Sequence, residues 1–183
     1  MSKIKALIKN YENFILIPWR DDAAAAQRVI FCIYNENDEL KLRYNIGEFE
    51  ISTKRAGHHW VVFDITDTFA EWLSSQRYAK SYFEKPQLLS PLLGKYLVYL
   101  KEKFQEFLII GKADETTVVT LIGVGSLFSL IKVKSLVDEF APLVSGRLLV
   151  FFPGSYENNN YRLLDGYDGW NYLAVPITAE KEF

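Results

Sequence analysis

The sequence predicts an α/β fold: one mostly parallel five-stranded sheet with helices on both faces, forming a single domain over residues 1–183. Three observations carry this. Short apolar runs rich in β-branched and aromatic residues alternate with stretches of helical period. The runs are continuously apolar rather than alternating, as in strands covered on both faces of a parallel sheet. Hydrophobic residues make up 49% of a chain of 183 residues, enough for one sizeable core.

The elements follow in order. Residues 1–14 place Ile4, Leu7, Ile8 and Tyr11 at helical spacing, and Pro18-Trp19 ends that helix. Residues 21–27 are polar and alanine-rich, a linker or a helical turn. Residues 28–34 are the first buried strand. From Asp38 the period lengthens. Leu40, Tyr44 and Ile51 share one face and Leu42, Ile46 and Phe49 an adjacent one, which predicts a helix from near Asn37. His59–Asp64 is a second buried strand. Thr68 and Glu71 have capping-box spacing for a helix through Phe69, Trp72 and Leu73. Residues 78–91 are irregular and aromatic, and Leu93, Leu97, Leu100, Phe104, Phe107 and Leu108 then mark a long helix. Thr117–Ile122 is a third strand, 123–126 a tight loop, 127–140 another helix, 146–152 a fourth strand and 172–177 a fifth.

The fourth strand is expected to stop at Pro153-Gly154, because proline has no N–H to continue a central ladder. A long loop then runs from Pro153 to Gly169. It carries Tyr156, Tyr161, Arg162 and Tyr167, with Trp170 just beyond, and no His, Cys or Lys. Those residue types suit recognition more than bond breaking, and long ordered loops are often functional. They stand as candidate partner anchors. The same loop also reads as a solvated excursion between strands, with Asn158-Asn159-Asn160 as turn formers.

Composition excludes several classes. Net charge is −2 from 21 basic and 23 acidic residues, so no bulk positive field draws nucleic acid. A local basic face from Lys95, Lys101, Lys103, Lys132 and Lys134 arises only if their helices lie side by side. One cysteine, Cys32, rules out an internal disulfide and suits a reducing cytosol. No apolar run approaches the ~20 residues of a membrane span. The first residues lack a signal peptide's apolar core and cleavage site. A cytoplasmic protein is expected.

Catalytic equipment is sparse. The loop Asn35-Glu36-Asn37-Asp38 has neither the glycines nor the lysine of a phosphate cradle. Asp64 and Asp67 follow an apolar strand, as a metal-side carboxylate would, but without a glycine-lysine partner the plainer reading is that they cap and favour the next helix N-terminus. Gly123-Val124-Gly125-Ser126 joins a strand to a helix without the Walker A spacing or its lysine. If a nucleotide binds, Gly123, Gly125, Ser126 and Asp64 are its candidates. The plainer reading is a tight turn with Ser126 as cap. His58 and His59 point to opposite faces of a strand and cannot easily share a metal. No cofactor, metal or enzymatic activity is expected.

Five blocks together resemble the BrxB family of bacteriophage exclusion (BREX) defence systems. They are IPWR (17–20), GEFE (47–50), GHHWVVFDITDTFAEWL (57–73), LIGVGSLFSLIKVKSLV (121–137) and LVFFPGSYENNNYRLLDGYDGWNYLAVPI (149–177). FFPGSYENNNYRLL and VGSLFSLIKV are the most specific. The resemblance spans about residues 17–177. It implies a small cytoplasmic α/β protein with likeness to P-loop folds but no Walker A motif. It implies a non-enzymatic assembly role, a PglZ-like protein as the leading partner, and DNA contact only through the complex. It carries no catalytic residues over. The alternative is a degenerate P-loop-like nucleotide-binding regulatory domain.

Overall fold

The apolar runs at the expected strand positions join one open sheet. The computed structural model describes residues 2–170 and 173–180, and the Trp170 side chain lies outside that description, as do Asn171 and Tyr172. The strands are β1 (Val29–Tyr34), β2 (His59–Asp64), β3 (Thr117–Ile122), β4 (Arg147–Glu157), β5 (Asn160–Leu163), β6 (Gly166–Trp170) and β7 (Val175–Ile177). The helices are α1 (Lys3–Ile15), α2 (Glu39–Tyr44), α3 (Ile46–Arg55), α4 (Thr68–Ser74), α5 (Ala79–Glu84), α6 (Leu93–Ile110) and α7 (Val133–Phe140). The order across the sheet is β2-β3-β4-β1-β7, and each of these pairings is parallel. β5 and β6 add an antiparallel ribbon to β4. The sheet therefore has seven strands where five were expected.

The extra strands follow from what Pro153 does. β4 does not stop there but runs through Pro153 and Gly154 to Glu157. Pro153 is the last rung opposite β1, facing Tyr34, and its carbonyl accepts from Leu164 N–H at 2.8 Å. The missing N–H falls where β4 passes from one partner to the next, a position that tolerates proline. At Gly154 an added Cβ would lie 1.9 Å from the Arg162 carbonyl oxygen, so β5 can approach only a glycine. Pro-Gly marks a change of partner, not an end.

Each face of the sheet has its own core. Val29, Phe31 and Ile33 of β1 point toward α4, α6 and α7, where Trp72, Phe104 and Phe140 are buried. Ile30, Cys32 and Tyr34 point the other way, toward Leu7 and Tyr11 of α1 and Phe49 of α3. All six β1 side chains are buried, the pattern of a central parallel strand. Cys32 is a fully buried core residue whose thiol pKa burial pushes up.

Several local expectations change. β2 pairs only with β3 and is an edge strand, its side chains partly exposed. The helix expected from Asn37 is a 3₁₀ turn, Glu36–Asp38, followed by α2 and α3. Leu42 and Phe49 are buried while Leu40, Tyr44 and Ile51 face outward. Thr68 makes no capping box: its hydroxyl donates to the Ile65 carbonyl at 2.7 Å and bonds the Tyr96 hydroxyl at 2.8 Å. The helix expected from residue 127 begins at Val133, because Ser129 adopts a left-handed φ of 64° that helix geometry excludes.

Candidate functional site

The antiparallel ribbon stands beyond the carboxyl ends of the parallel strands. Its first turn is Asn158-Asn159, with φ of 51° and 63°, between the paired Glu157 and Asn160. Two consecutive left-handed residues give a hairpin turn matched to strand twist, and asparagine tolerates them. The loop expected from Pro153 to Gly169 is thus two hairpin turns and three strand segments.

The ribbon sorts the candidate anchors. Tyr161 is 1% exposed and packs on Phe31 and Phe152, with ring centroids 5.0 and 5.9 Å away. Burial raises its hydroxyl pKa. It folds back onto the core and cannot meet a partner, which corrects the sequence reading. The reason is period two: Tyr161 and Leu163 face inward while Arg162 faces out. Tyr156 is half-buried against Tyr161 and its hydroxyl donates to Asn159 Oδ1 at 2.6 Å. Arg162 is exposed, but its guanidinium donates to the Asp165 carbonyl and ties its own turn. Tyr167 is 52% exposed with the Lys132 ammonium over its ring at 5.6 Å. The Trp170 side chain, a further candidate, lies outside the described residues.

A groove of about 360 Å³ runs beside Tyr167. Phe128, Ile131, Lys132, Leu163 and Tyr167 line it. Phe128 is exposed, and its ring covers Gly166, where an added Cβ would come within 2.7 Å. Asp168 holds the two walls together. Its buried carboxylate accepts from Val133 N–H at 2.8 Å and Lys134 N–H at 3.1 Å, capping α7 from the ribbon. Sequence reasoning missed Phe128 because it assigned residue 128 to a helix. It missed the cap because donor and acceptor are over thirty residues apart. The blocks VGSLFSLIKV and FFPGSYENNNYRLL, with the adjoining DGYDGW, meet at this groove.

The nucleotide candidates are tied up internally. Asp64 accepts from Thr66 N–H at 2.9 Å, from the Thr66 hydroxyl, and from Arg43 at 3.2 Å. Burial pushes its carboxyl pKa up, but the Thr66 and Arg43 contacts outweigh this and hold it below the ordinary value. Gly123 has φ of 79°, and an added Cβ would lie 2.3 Å from Thr66 Oγ1. Gly125 abuts Pro153, and the Ser126 hydroxyl donates to the Gly123 carbonyl at 2.8 Å. A larger cavity, about 550 Å³, opens at the carboxyl ends of β1 and β7. Asp38, Glu157, Glu180 and Lys3 give it an acidic rim. α6 and α7 do lie side by side, as the conditional basic face requires, but three of its five lysines are paired: Lys101 with Glu139 at 2.7 Å, Lys103 with Glu106 at 3.9 Å and Lys134 with Asp138 at 2.7 Å.

A family model described as BREX protein BrxB matches residues 62–176, more than half of the chain. The chain belongs to the BrxB family. The match contains the whole ribbon up to Trp170, the segment 128–132 and α7, so every wall of the groove is BrxB-family sequence. It is thereby a component of a BREX phage-defence system. No curated protein and no solved structure matches the chain in the corresponding comparisons.

Proposed function

We propose that this BrxB-family chain is a non-enzymatic assembly component of a BREX complex, docking onto a PglZ-like partner through the Phe128–Tyr167 groove. One observation carries the reading: two aromatic rings stand exposed on either side of an apolar groove whose walls are fixed by the buried Asp168 cap. Rigid aromatic anchors beside a preformed groove, with Lys132 at the rim, are the usual energetic centre of a protein interface. A second exposed aromatic group, Tyr78 just before α5 and Phe83 within it, widens the surface available to a large complex. In this reading the protein works in the cytoplasm and meets DNA only through the complex. None of the described helices is long and apolar enough to cross a membrane, which is compatible with it.

The test is co-purification of a PglZ-like partner with Phe128→Ala, Tyr167→Ala and the double variant, each shown to be folded. The double variant is expected to lose about tenfold or more in retention. Full retention of the partner by the folded double variant would sink the docking assignment.

A degenerate P-loop-like nucleotide-binding domain is the second reading. The strand order favours it: β1 lies inside a parallel sheet with a cavity at its carboxyl end, where such sheets bind ligands. None of Gly123, Gly125, Ser126 and Asp64 lines that cavity; its acidic rim counts against a phosphate in it, and the Thr66 side chain against Gly123 counts against one at the Gly123 loop. ATP or GTP with magnesium, read by thermal shift, decides. A shift abolished by Asp64→Asn supports this reading, and no shift at millimolar nucleotide rejects it.

A further inference from the structure

The IPWR motif plays no part in the groove. It sits at the opposite, amino-terminal ends of the strands, with Arg28, His58 and Arg147, residues at or just before the starts of β1, β2 and β4. Trp19 stacks on the His58 imidazole at 3.7 Å with an interplanar angle of 5°. The Arg147 guanidinium lies over the same indole, 4.6 Å from its centroid. A cavity of about 510 Å³ opens here, with Arg28, His58, Thr116 and Arg147 among its lining. An apolar groove of about 210 Å³, lined by Phe14, Ile17, Pro18 and Ala23, shares Trp19, Arg20 and Arg147 with it.

The charges at this cavity are not neutralised as they are elsewhere. Arg28 donates to the Ser145 carbonyl at 2.6 Å, and its Nε is buried without an acceptor. Among the described residues Arg147 donates only to the carbonyls of Gly146 and Arg20, at 3.3 Å each. Among the described residues neither forms an ion pair, whereas Arg20, Arg43 and Arg55 each do. Burial and then the Arg28 charge lower the Arg147 pKa, and Asp21 acts against them. Asp21 and Glu115 also line the cavity, and Arg20 there is spent on Asp22, so Arg28 and Arg147 are its two arginines without an ion pair among the described residues. A loop tie needs no second guanidinium repelling the first. Two planar forks with free donors match the oxygens of a phosphate, and an aromatic and aliphatic groove beside them suits a planar apolar body.

We propose that this amino-edge cavity binds a nucleotide phosphate, with Arg28 and Arg147 on its oxygens and the base along Ile17, Pro18 and Trp19. The same chemistry comes from a free nucleotide or from the 5′-phosphorylated end of a DNA strand. The site is separate from the docking groove and from the carboxyl-edge loops.

The experiment uses the full chain with AMP, adenosine, inorganic phosphate, and a short single-stranded oligonucleotide with and without a 5′-phosphate. Binding is followed by calorimetry and thermal shift. AMP is expected to bind, phosphate more weakly, and adenosine not at all. Arg147→Gln and Arg28→Gln each weaken AMP by about tenfold or more, Arg147→Lys weakens it less, and Tyr167→Ala and Asp64→Asn leave it unchanged. Preference for the 5′-phosphorylated oligonucleotide over AMP assigns the DNA end as the source, and the reverse assigns the free nucleotide. No binding of AMP or of either oligonucleotide at about 10 mM ligand overturns the proposal. So does binding unaffected by the arginine variants, or an oligonucleotide bound equally well without its phosphate. A measurement on the unaltered chain guards against variants that misfold. NMR can follow the His58 imidazole: bound phosphate raises its pKa, set against Arg28, Arg147, Asp21 and Glu115. An unmoved His58 at saturating AMP overturns the proposal as well.

Discussion

The two ends of the parallel strands solve the same problem in opposite ways. At the carboxyl ends of β2, β3 and β4 the chain fills its own rim, leaving the open cavity beside β1 and β7: Tyr161 drops from the ribbon onto Phe31 and Phe152, Thr66 occupies the space beside Gly123, and Asp64 is met by Arg43. At the amino end, Arg28 and Arg147 bond carbonyl oxygens and pack on an indole, and among the described residues neither is ion-paired, although Asp21 and Glu115 line the same cavity. The difference teaches that a ligand rule for carboxyl ends presupposes open, glycine-lined loops. Where side chains close those loops, unpaired charge elsewhere is the better guide to a candidate site.

The sharpest way to break the comparison is Tyr161→Ala. If the ribbon is fused to the core through this ring, its removal leaves a cavity beside Phe31 and Phe152 and costs about 3–5 kcal/mol in urea unfolding. A loss under about 1 kcal/mol means the ribbon rides loosely and the carboxyl end is open. Tyr167→Ala, half exposed, should stay within about 0.5 kcal/mol of the parent in the same assay.

Two glycines give a matched pair. Gly57 near the amino end and Gly123 at the carboxyl end both have left-handed φ, 86° and 79°. Nothing lies within 4 Å of a Cβ built on Gly57, whereas Gly123 meets the Thr66 backbone nitrogen at 2.8 Å and Asp64 Oδ1 at 2.9 Å. Gly57→Ala therefore carries only the conformational penalty, about 1–2 kcal/mol. Gly123→Ala adds roughly 1–3 kcal/mol of crowding. Equal losses in thermal unfolding would mean that the carboxyl rim yields easily.

This pair also marks what could be read in advance. The parallel strands were legible because continuous burial leaves continuous apolar runs, as in the six residues of β1. The orientation of Tyr161 was not. Treated as loop, residues 153–169 offered no register, and without register the in-out alternation that separates Tyr161 from Arg162 has no origin. The misreading began at Pro153, where a lost N–H signals either an end or a change of partner. Only the position of Leu164, whose N–H the Pro153 carbonyl accepts, tells which. The amino-edge arginines were invisible for a related reason. Arg28 and Arg147 are far apart in sequence, and parallel pairing of β1 with β4 brings them together.

Asp64 tests the carboxyl rim by pH. Its folded pKa is depressed, so its contacts stabilise the fold above the ordinary carboxylate pKa of about 3.9. That contribution is lost as pH falls through the folded value. Asp64→Asn should thus be less stable than the parent at neutral pH, and the two should converge below about pH 4. The pair with Arg43 is partly exposed, at 31% and 46% for the two side chains, so screening keeps the difference under about 1 kcal/mol. A gap that persists at low pH would mean that packing, not charge, is what Asp64 supplies.

The smallest effect bears most directly on the amino end. Arg147→Gln without ligand loses two weak carbonyl hydrogen bonds and the contact with Trp19, and gains relief from Arg28. These nearly cancel, leaving a change of about 0.5 kcal/mol or less. The informative quantity is the cycle with Arg28→Gln. Two guanidiniums that repel should show an unfavourable coupling of a few tenths of a kcal/mol: the relief is gained only once, so each substitution costs more in the background of the other than in the parent. Because the repulsion is electrostatic, the coupling should shrink between low salt and about 0.5 M salt, and shrink again when phosphate is added at constant ionic strength. A favourable coupling, or one indifferent to salt, would show that the arginines hold the loops together as a structural pair, and the contrast between the two ends would reduce to packing alone.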